Sequence, residues 1–258
     1  MRTIRMEEMT WPEVRAAIEQ GFTTVVVGIG STEQHGPYLP TMTDTRIGDE
    51  LAHRVALRLG HALKARTIPF GVSEHHLAFG ATVSLTRETL KGIVHDFVDS
   101  LVRCGFTRIV LLPSHGGNFA TVQEVIDEAP ATWPSVVVTG YADLLGFSAV
   151  CEQSSARFGI SAGAAGAHAG ENETSMMLAL EPALVRRERF AAGYVGPLGE
   201  EQVKIIFAQG MTALTPNGVL GDPAEASAEK GEAYLEDLAE FLAAQLAPAP
   251  APRAATRA

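Results

Sequence analysis

Thr23-Thr24-Val25-Val26-Val27-Gly28-Ile29 is a short β-branched run closed by glycine, and the same pattern returns at Thr107-Arg108-Ile109-Val110-Leu111-Leu112 and Ser135-Val136-Val137-Val138-Thr139. Near-continuous apolar strands of this kind belong in a sheet covered on both faces. Between them lie helix-like segments. Thr45 to Leu59 spaces Ile47, Leu51, Val55 and Leu59 four apart, and Thr86 to Arg103 carries Leu90, Ile93, Val94, Phe97 and Leu101, with Cys104-Gly105 as its stop. A third helix is expected from Glu171 to Leu180, and a fourth, with a stripe of Tyr234, Leu235, Leu238, Phe241, Leu242 and Leu246, from Ala226 to Leu246. Strands alternating with such helices predict a three-layer α/β/α fold with a mostly parallel central sheet and right-handed crossovers.

With 258 residues, the chain suffices for one large α/β domain that buries about 70–75% of its unfolded surface. That domain is expected over 1–246, followed by a disordered Ala/Pro tail at 247–258. The glycines and alanines of 156–170 predict a mobile loop that could serve as a lid.

Thirty acidic against twenty basic residues give a formal net charge of −10, and no Lys/Arg cluster stands out that would track a phosphate backbone. Nucleic acid and anionic membranes are therefore poor partners, and neither is expected. The two cysteines, Cys104 and Cys151, form no metal or redox motif, and no apolar run approaches the ~20 residues that span a bilayer. Together these predict a cytoplasmic protein.

Three polar clusters follow strand-like or glycine-rich stretches, where α/β proteins place their ligands. They are Glu33-Gln34-His35-Gly36-Pro37 with Asp44, Ser114-His115-Gly116-Gly117-Asn118, and His168-Ala169-Gly170-Glu171-Asn172-Glu173-Thr174. An extended backbone throws Glu33 and His35 to the same side. Carboxylates and imidazoles in this mixture suit Zn²⁺, Mn²⁺ or Fe²⁺, and Asp44, with two oxygens, is the natural bridge between two ions. Each residue also has an ordinary structural reading. Asp44 would cap the helix that follows, Asn118 would cap the helix from Phe119, and Glu171 and Glu173 would complement a helix dipole. Three such clusters at successive strand ends favour one composite metal site.

In their order and spacing, the clusters resemble the creatininase (creatinine amidohydrolase) family from about Thr23 to Leu180. That family shares a Glu-x-His-Gly-Pro start, a spaced Asp, a His block and a late His-x-Gly-x-x-Glu-Thr-Ser block. The resemblance implies two divalent ions per chain, Glu33, Asp44 and His115 holding one and His35 with Asp44 the other. It also implies that His168 is the catalytic proton shuttle. Creatininase itself completes the second ion with a Glu where this chain has Gly117, and Glu171, an acid where creatininase is apolar, is the expected replacement. Ser73, His75, His76, Gly116 and Asn118 are the expected substrate-binding residues, the first three falling in the family's substrate-contacting loop. Ala164, Ala165 and Gly116 stand where creatininase has Trp, Asp and Tyr, which points away from creatinine as substrate. The Gly-Gly-Asn and His-Ala-Gly-Glu forms look more like relatives that deformylate an aminopyrimidine nucleotide precursor or trim the mycofactocin precursor peptide.

The expected function is metal-dependent hydrolysis of a lactam, formamide or related amide of a small-molecule substrate, in a homo-oligomer, frequently a hexamer in this family. Small-peptide trimming, hydrolysis of a cyclic ketone or lactone, and a catalytically idle metal-binding scaffold are the alternatives.

Overall fold

The computed structural model describes residues 1–247, so the expected Ala/Pro tail lies outside the described residues from 248 onward. Four parallel strands form the sheet: β1 (Thr24–Ile29), β2 (Ala62–Lys64), β3 (Arg108–Pro113) and β4 (Val137–Gly140), in the order β2-β1-β3-β4. The α-helices are α1 (Trp11–Glu19), α2 (Thr43–Leu59), α3 (Arg87–Cys104), α4 (Phe119–Thr132), α5 (Leu144–Ala156), α6 (Ala162–Ala165), α7 (Glu171–Leu180), α8 (Glu200–Gln209) and α9 (Ala228–Gln245).

Alternation along the strands assigns the two faces. Val26, Val110 and Leu112 pack with Ile47, Leu51 and Val55 of α2 and with α7 and α9. Val25, Val27, Ile29, Ile109 and Leu111 pack on the other side with Leu90 and Val94 of α3 and Val122 and Val125 of α4. Three layers result. Because both faces are covered, β1 and β3 are apolar at nearly every position.

Helix ends follow local chemistry. The Thr86 hydroxyl accepts from the Thr89 N–H, the chain leaves α3 through Gly105 at φ 105°, and the Ser227 hydroxyl accepts from the Lys230 N–H to start α9.

Two expectations change. α2 begins at Thr43 rather than Thr45 and Met42 is its N-cap, so Asp44 lies in the first turn and its side chain is free for other work. The stretch 156–170 is not a mobile lid. The Ser161 hydroxyl caps the one-turn α6, Ala165, Ala169 and Gly170 are buried, and Ala167 N–H donates to the Leu220 carbonyl at 3.0 Å.

β1 feeds α2 on one face of the sheet and β3 feeds α4 on the other. The crevice outside the carboxyl ends of β1 and β3 is therefore the topological switch point, where open α/β sheets bind ligands. Asn118 ties it together, its amide donating to the Ile29 and Gly30 carbonyls at 3.1 and 2.9 Å and accepting from Val72 N–H at 3.0 Å.

Candidate metal centre

The segment after β1 and the first turn of α2 bring Glu33, His35 and Asp44 into that crevice, the turn after β3 adds His115, the approach to α7 adds His168, and the first turn of α7 adds Glu173. Glu33 and His35 are fully buried and Asp44 and His115 nearly so. Asp44 faces His35 Nε2 with Oδ1 at 3.1 Å and His115 Nδ1 with Oδ2 at 3.1 Å, and the Ser31 hydroxyl donates to Oδ2 at 2.9 Å. Glu33 Oε2 lies 3.2 Å from His115 Nδ1, and Oε1 lies 3.3 Å from His76 Nε2 and 3.7 Å from His168 Nδ1.

Three imidazoles share one pattern. His35 donates Nδ1–H to the Glu33 carbonyl at 3.2 Å, His115 donates Nε2–H to the Val72 carbonyl at 3.0 Å, and His168 donates Nε2–H to the Gln34 carbonyl at 2.7 Å. A carbonyl only accepts, so in each neutral ring the other nitrogen carries a lone pair, and that nitrogen faces a carboxylate. Lone pair against carboxylate is repulsive unless a proton or a metal cation sits between them. Consistent with this, both oxygens of Glu33 are buried without a hydrogen bond, and backbone carbonyls that orient imidazoles are the usual outer support of metal ligands.

Electrostatics give the same answer. Burial opposes charge on His35, but Asp44, Glu173 and Glu33 outweigh it and push its pKa up to about 10. Burial likewise opposes charge on His115, and Glu33 and Asp44 lift its pKa well above the ordinary range. Asp44, despite burial, is held well below the usual carboxylate range by His35 and His115. The acids of the cluster demand positive charge, and divalent ions are the species this donor set fits. Three overlapping groups each bring their donor atoms within 4.8 Å of one another: Glu33, His35 and Asp44; His35, His168 and Glu173; and Glu33, His76 and His168.

Several expected site residues lie elsewhere. Glu171 turns away from the cluster, accepting from the Ser175 hydroxyl at 2.8 Å and the Tyr234 hydroxyl at 3.0 Å, with Lys230 Nζ at 3.7 Å. The acid that faces the cluster is Glu173, whose Oε2 lies 3.7 Å from His35 Nε2 and accepts from Ala169 N–H at 2.6 Å. Its pKa is pushed up to about 7 by burial, against the pull of His35. Gly117 cannot be replaced by an acid here, because a Cβ would lie 2.0 Å from the Val72 carbonyl oxygen. Ser73 is fully buried behind His115, its hydroxyl 3.2 Å from Nε2, and Asn118 is the clamp already described. Neither lines the cavity. His75, His76 and Gly116 do line it. His75 stacks on His115 with ring centroids 5.7 Å apart, and burial pushes its pKa down to about 3.

Gln34 has a part that the sequence did not disclose. Its Oε1 accepts from Gly36 N–H at 2.9 Å, which fixes the amide orientation, and its Nε2 donates to the Gly218 carbonyl at 3.1 Å and to His76 Nδ1 at 2.8 Å. His76 is therefore the Nε2–H tautomer, aimed at Glu33, while the backbone carbonyl of the same Gln34 holds His168 with Nδ1 bare. One residue sets complementary tautomers on two imidazoles.

The cluster forms the base of a cavity of about 340 Å³. A parallel sheet whose switch point carries buried carboxylates faced by imidazole lone pairs is the architecture of a metal-dependent α/β hydrolase. The chain belongs to the creatininase family, whose model, described as creatinine amidohydrolase, matches residues 7–246. It is a metal-dependent amidohydrolase of that family, a class acting on non-peptide carbon–nitrogen bonds. It is 31% identical over 248 residues to the mycofactocin precursor peptide peptidase of Mycobacterium ulcerans, covering 92% of this chain and 86% of that one. It is 30% identical over 250 residues to the creatinine amidohydrolase of Pseudomonas putida, covering 91% and 93%. A solved creatininase variant described as Zn-Zn type superimposes with a TM-score of 0.79 at 29% identity, covering 95% of this chain and 98% of that one. No helix among the described residues is long and apolar enough to cross a membrane.

Proposed function

We propose that this chain hydrolyses the carbon–nitrogen bond of a lactam, formamide or related small amide, using two divalent ions, zinc, manganese or iron. Glu33, Asp44 and His115 would hold one, and His35, Asp44 and Glu173 the other. The observation that carries this reading is the set of three buried imidazoles that donate away from the cluster and turn bare nitrogens toward carboxylates. When bound, such ions supply Lewis acidity to a carbonyl oxygen and make water acidic enough to attack near neutral pH.

His168 then moves the proton. With Nε2–H held by Gln34, its Nδ1 faces the cavity base as an acceptor. Burial, together with repulsion from His35, keeps its pKa well below the ordinary imidazole range, so the ring rests neutral and ready to take a proton. As water oxygen bonds to the carbonyl carbon, Nδ1 accepts the released proton and returns it to the leaving nitrogen, and the carbon–nitrogen bond breaks with one water consumed. His76 lies beside Glu33, its Nε2 3.3 Å from Oε1.

A second reading, trimming of a small peptide at one amide bond, is supported by the likeness to the M. ulcerans peptidase. The test of the function is the metal content of the chain purified without chelator, beside Asp44→Ala, combined with amine release from a panel of lactams, formamides and short peptides. The reading expects about two ions per chain, falling sharply in the variant. No metal after reconstitution, with no hydrolysis, would sink it.

A further inference from the structure

Above the candidate metal centre the cavity walls are mostly apolar. The lining from α5 includes Leu144, Phe147 and Ser148, and that from α8 includes Val203, Ile206 and Phe207. Phe207 is 50% exposed and sits with its ring centroid 4.7 Å from that of His75, at the step between wall and centre. Leu145 at the rim is 66% exposed. An aromatic side chain left half in solvent beside a reactive site has apolar surface to offer a ligand.

The charged groups of the cavity are equally one-sided. Its acids are Glu33, Asp44 and Glu173 at the base and Glu152 on the α5 wall, and no lysine or arginine is present among the described residues that line it. Glu152 is exposed and forms no ion pair closer than 4 Å among the described residues. Any phosphate or carboxylate carried away from the scissile bond would meet Glu152 and apolar surface, with no fixed cation to receive it.

We infer that the substrate is an uncharged amide carrying a bulky apolar or aromatic group next to the scissile bond, seated between α5 and α8 against Phe207, and that Glu152 turns anionic substrates away. This deepens the amidohydrolase reading above and rests on it for the scissile bond alone. The volume of about 340 Å³ lies at the small end of ligand cavities, enough for one aromatic substituent and the amide.

Ligand-observed NMR titrations test this on the full chain, both zinc-loaded and chelator-stripped, with N-methylacetamide, N-benzylacetamide and 4-(acetamidomethyl)benzoate. N-benzylacetamide should bind about tenfold more tightly than N-methylacetamide, roughly what one buried aromatic ring supplies, and do so in the stripped chain as well. The benzoate should bind at least several-fold more weakly than its neutral analogue. Phe207→Ser, a change at a half-exposed position that leaves the core intact, should abolish the benzyl preference, and Glu152→Gln should recover part of the benzoate affinity. Absence of N-benzylacetamide binding, equal affinity for the two neutral amides, or a benzoate that binds as well as the neutral ring would overturn the inference. Failure of the amidohydrolase reading would look different: no metal and no hydrolysis, with the ring preference intact in the stripped chain.

Discussion

Glu171 and Glu173 are two residues apart on α7, about 200° around the helix axis, so only one of them can face the cluster. From sequence Glu171 was the expected ligand, and the packing of α7 on α9 turns Glu173 toward the cluster in its place. Tyr234 and Lys230 of α9 take Glu171, leaving Glu173 toward His35. Glu173→Gln should therefore lose one of two metal ions by mass spectrometry while keeping its melting temperature in chelator. Glu171→Gln should keep both ions and lose about 1–2 kcal/mol of stability in urea, as expected when a buried hydrogen-bonded network is weakened. Gln34→Glu puts an acceptor where His76 Nδ1 needs a donor, so His76 should change to the Nδ1–H tautomer, visible in two-bond nitrogen–proton NMR correlations. Turnover should fall roughly 10–100-fold, the usual cost of losing an outer support. Glu33, His35, Asp44, His115 and His168 were legible because each sits in a polar run just after a strand or at a helix start. Ser73 and Asn118 were assigned to substrate because a polar residue in a site loop looks the same in sequence whether it faces the ligand or clamps the loop from behind.

At the scale of elements, β1, β3, β4, α2, α3, α7 and α9 could be read to within two residues or so, because each has a clean period or a continuous apolar run. β2 escaped: three residues, Ala62–Lys64, carry no periodicity. α5 escaped for another reason. Its sequence, LLGFSAVCEQSSA, has no clean apolar stripe, since one side packs on α9 and the side that lines the cavity mixes Leu144 and Ala149 with Ser148 and Glu152. The supposed lid failed because small residues permit close packing as readily as mobility, and only the neighbours distinguish the two. Gly231 shows the same effect inside α9. Alanine is intrinsically better than glycine in a helix by about 1 kcal/mol, yet a Cβ at Gly231 would lie 1.9 Å from the Ser175 carbonyl oxygen of α7. Gly231→Ala should therefore destabilise the fold, by roughly 1–3 kcal/mol, measured by urea denaturation; a stabilised variant would show that α7 and α9 are not in this contact.

Across the whole molecule, stability has two separate electrostatic supports. The first is the candidate metal centre, when loaded. Ions bound only by the folded chain add stability by mass action, about 4 kcal/mol at a thousandfold excess over Kd. Chelator should lower the melting temperature of the wild type and leave that of Asp44→Ala almost unmoved.

The second support lies on the far side of α2, where the chain's beginning is fastened to the sheet edge. Lys64 on β2 is fully buried and is met by Glu7 and Asp49, while Arg5 reaches Asp49 at 2.7 Å and Glu50 at 3.7 Å. Burial would raise the Asp49 pKa, but Lys64, Arg5 and the Thr67 hydroxyl outweigh it and lower it. A carboxyl whose folded pKa is depressed contributes stability that is fully present above its unfolded pKa, about 3.9, and is lost as pH falls through the folded value. Asp49→Asn should thus cost about 2 kcal/mol at pH 7. That is less than the roughly 3–5 kcal/mol of a fully stranded buried charge, because Glu7 still faces Lys64. The gap between wild type and variant, followed by urea denaturation, should begin to close below about pH 4 as the wild-type carboxyl gains its proton. The comparison should be run in chelator, so that protonation of the metal ligands affects both proteins alike. A gap that persists unchanged to pH 2 would mean that Asp49 acts through its hydrogen bonds to Lys64 and Thr67 and not through its charge.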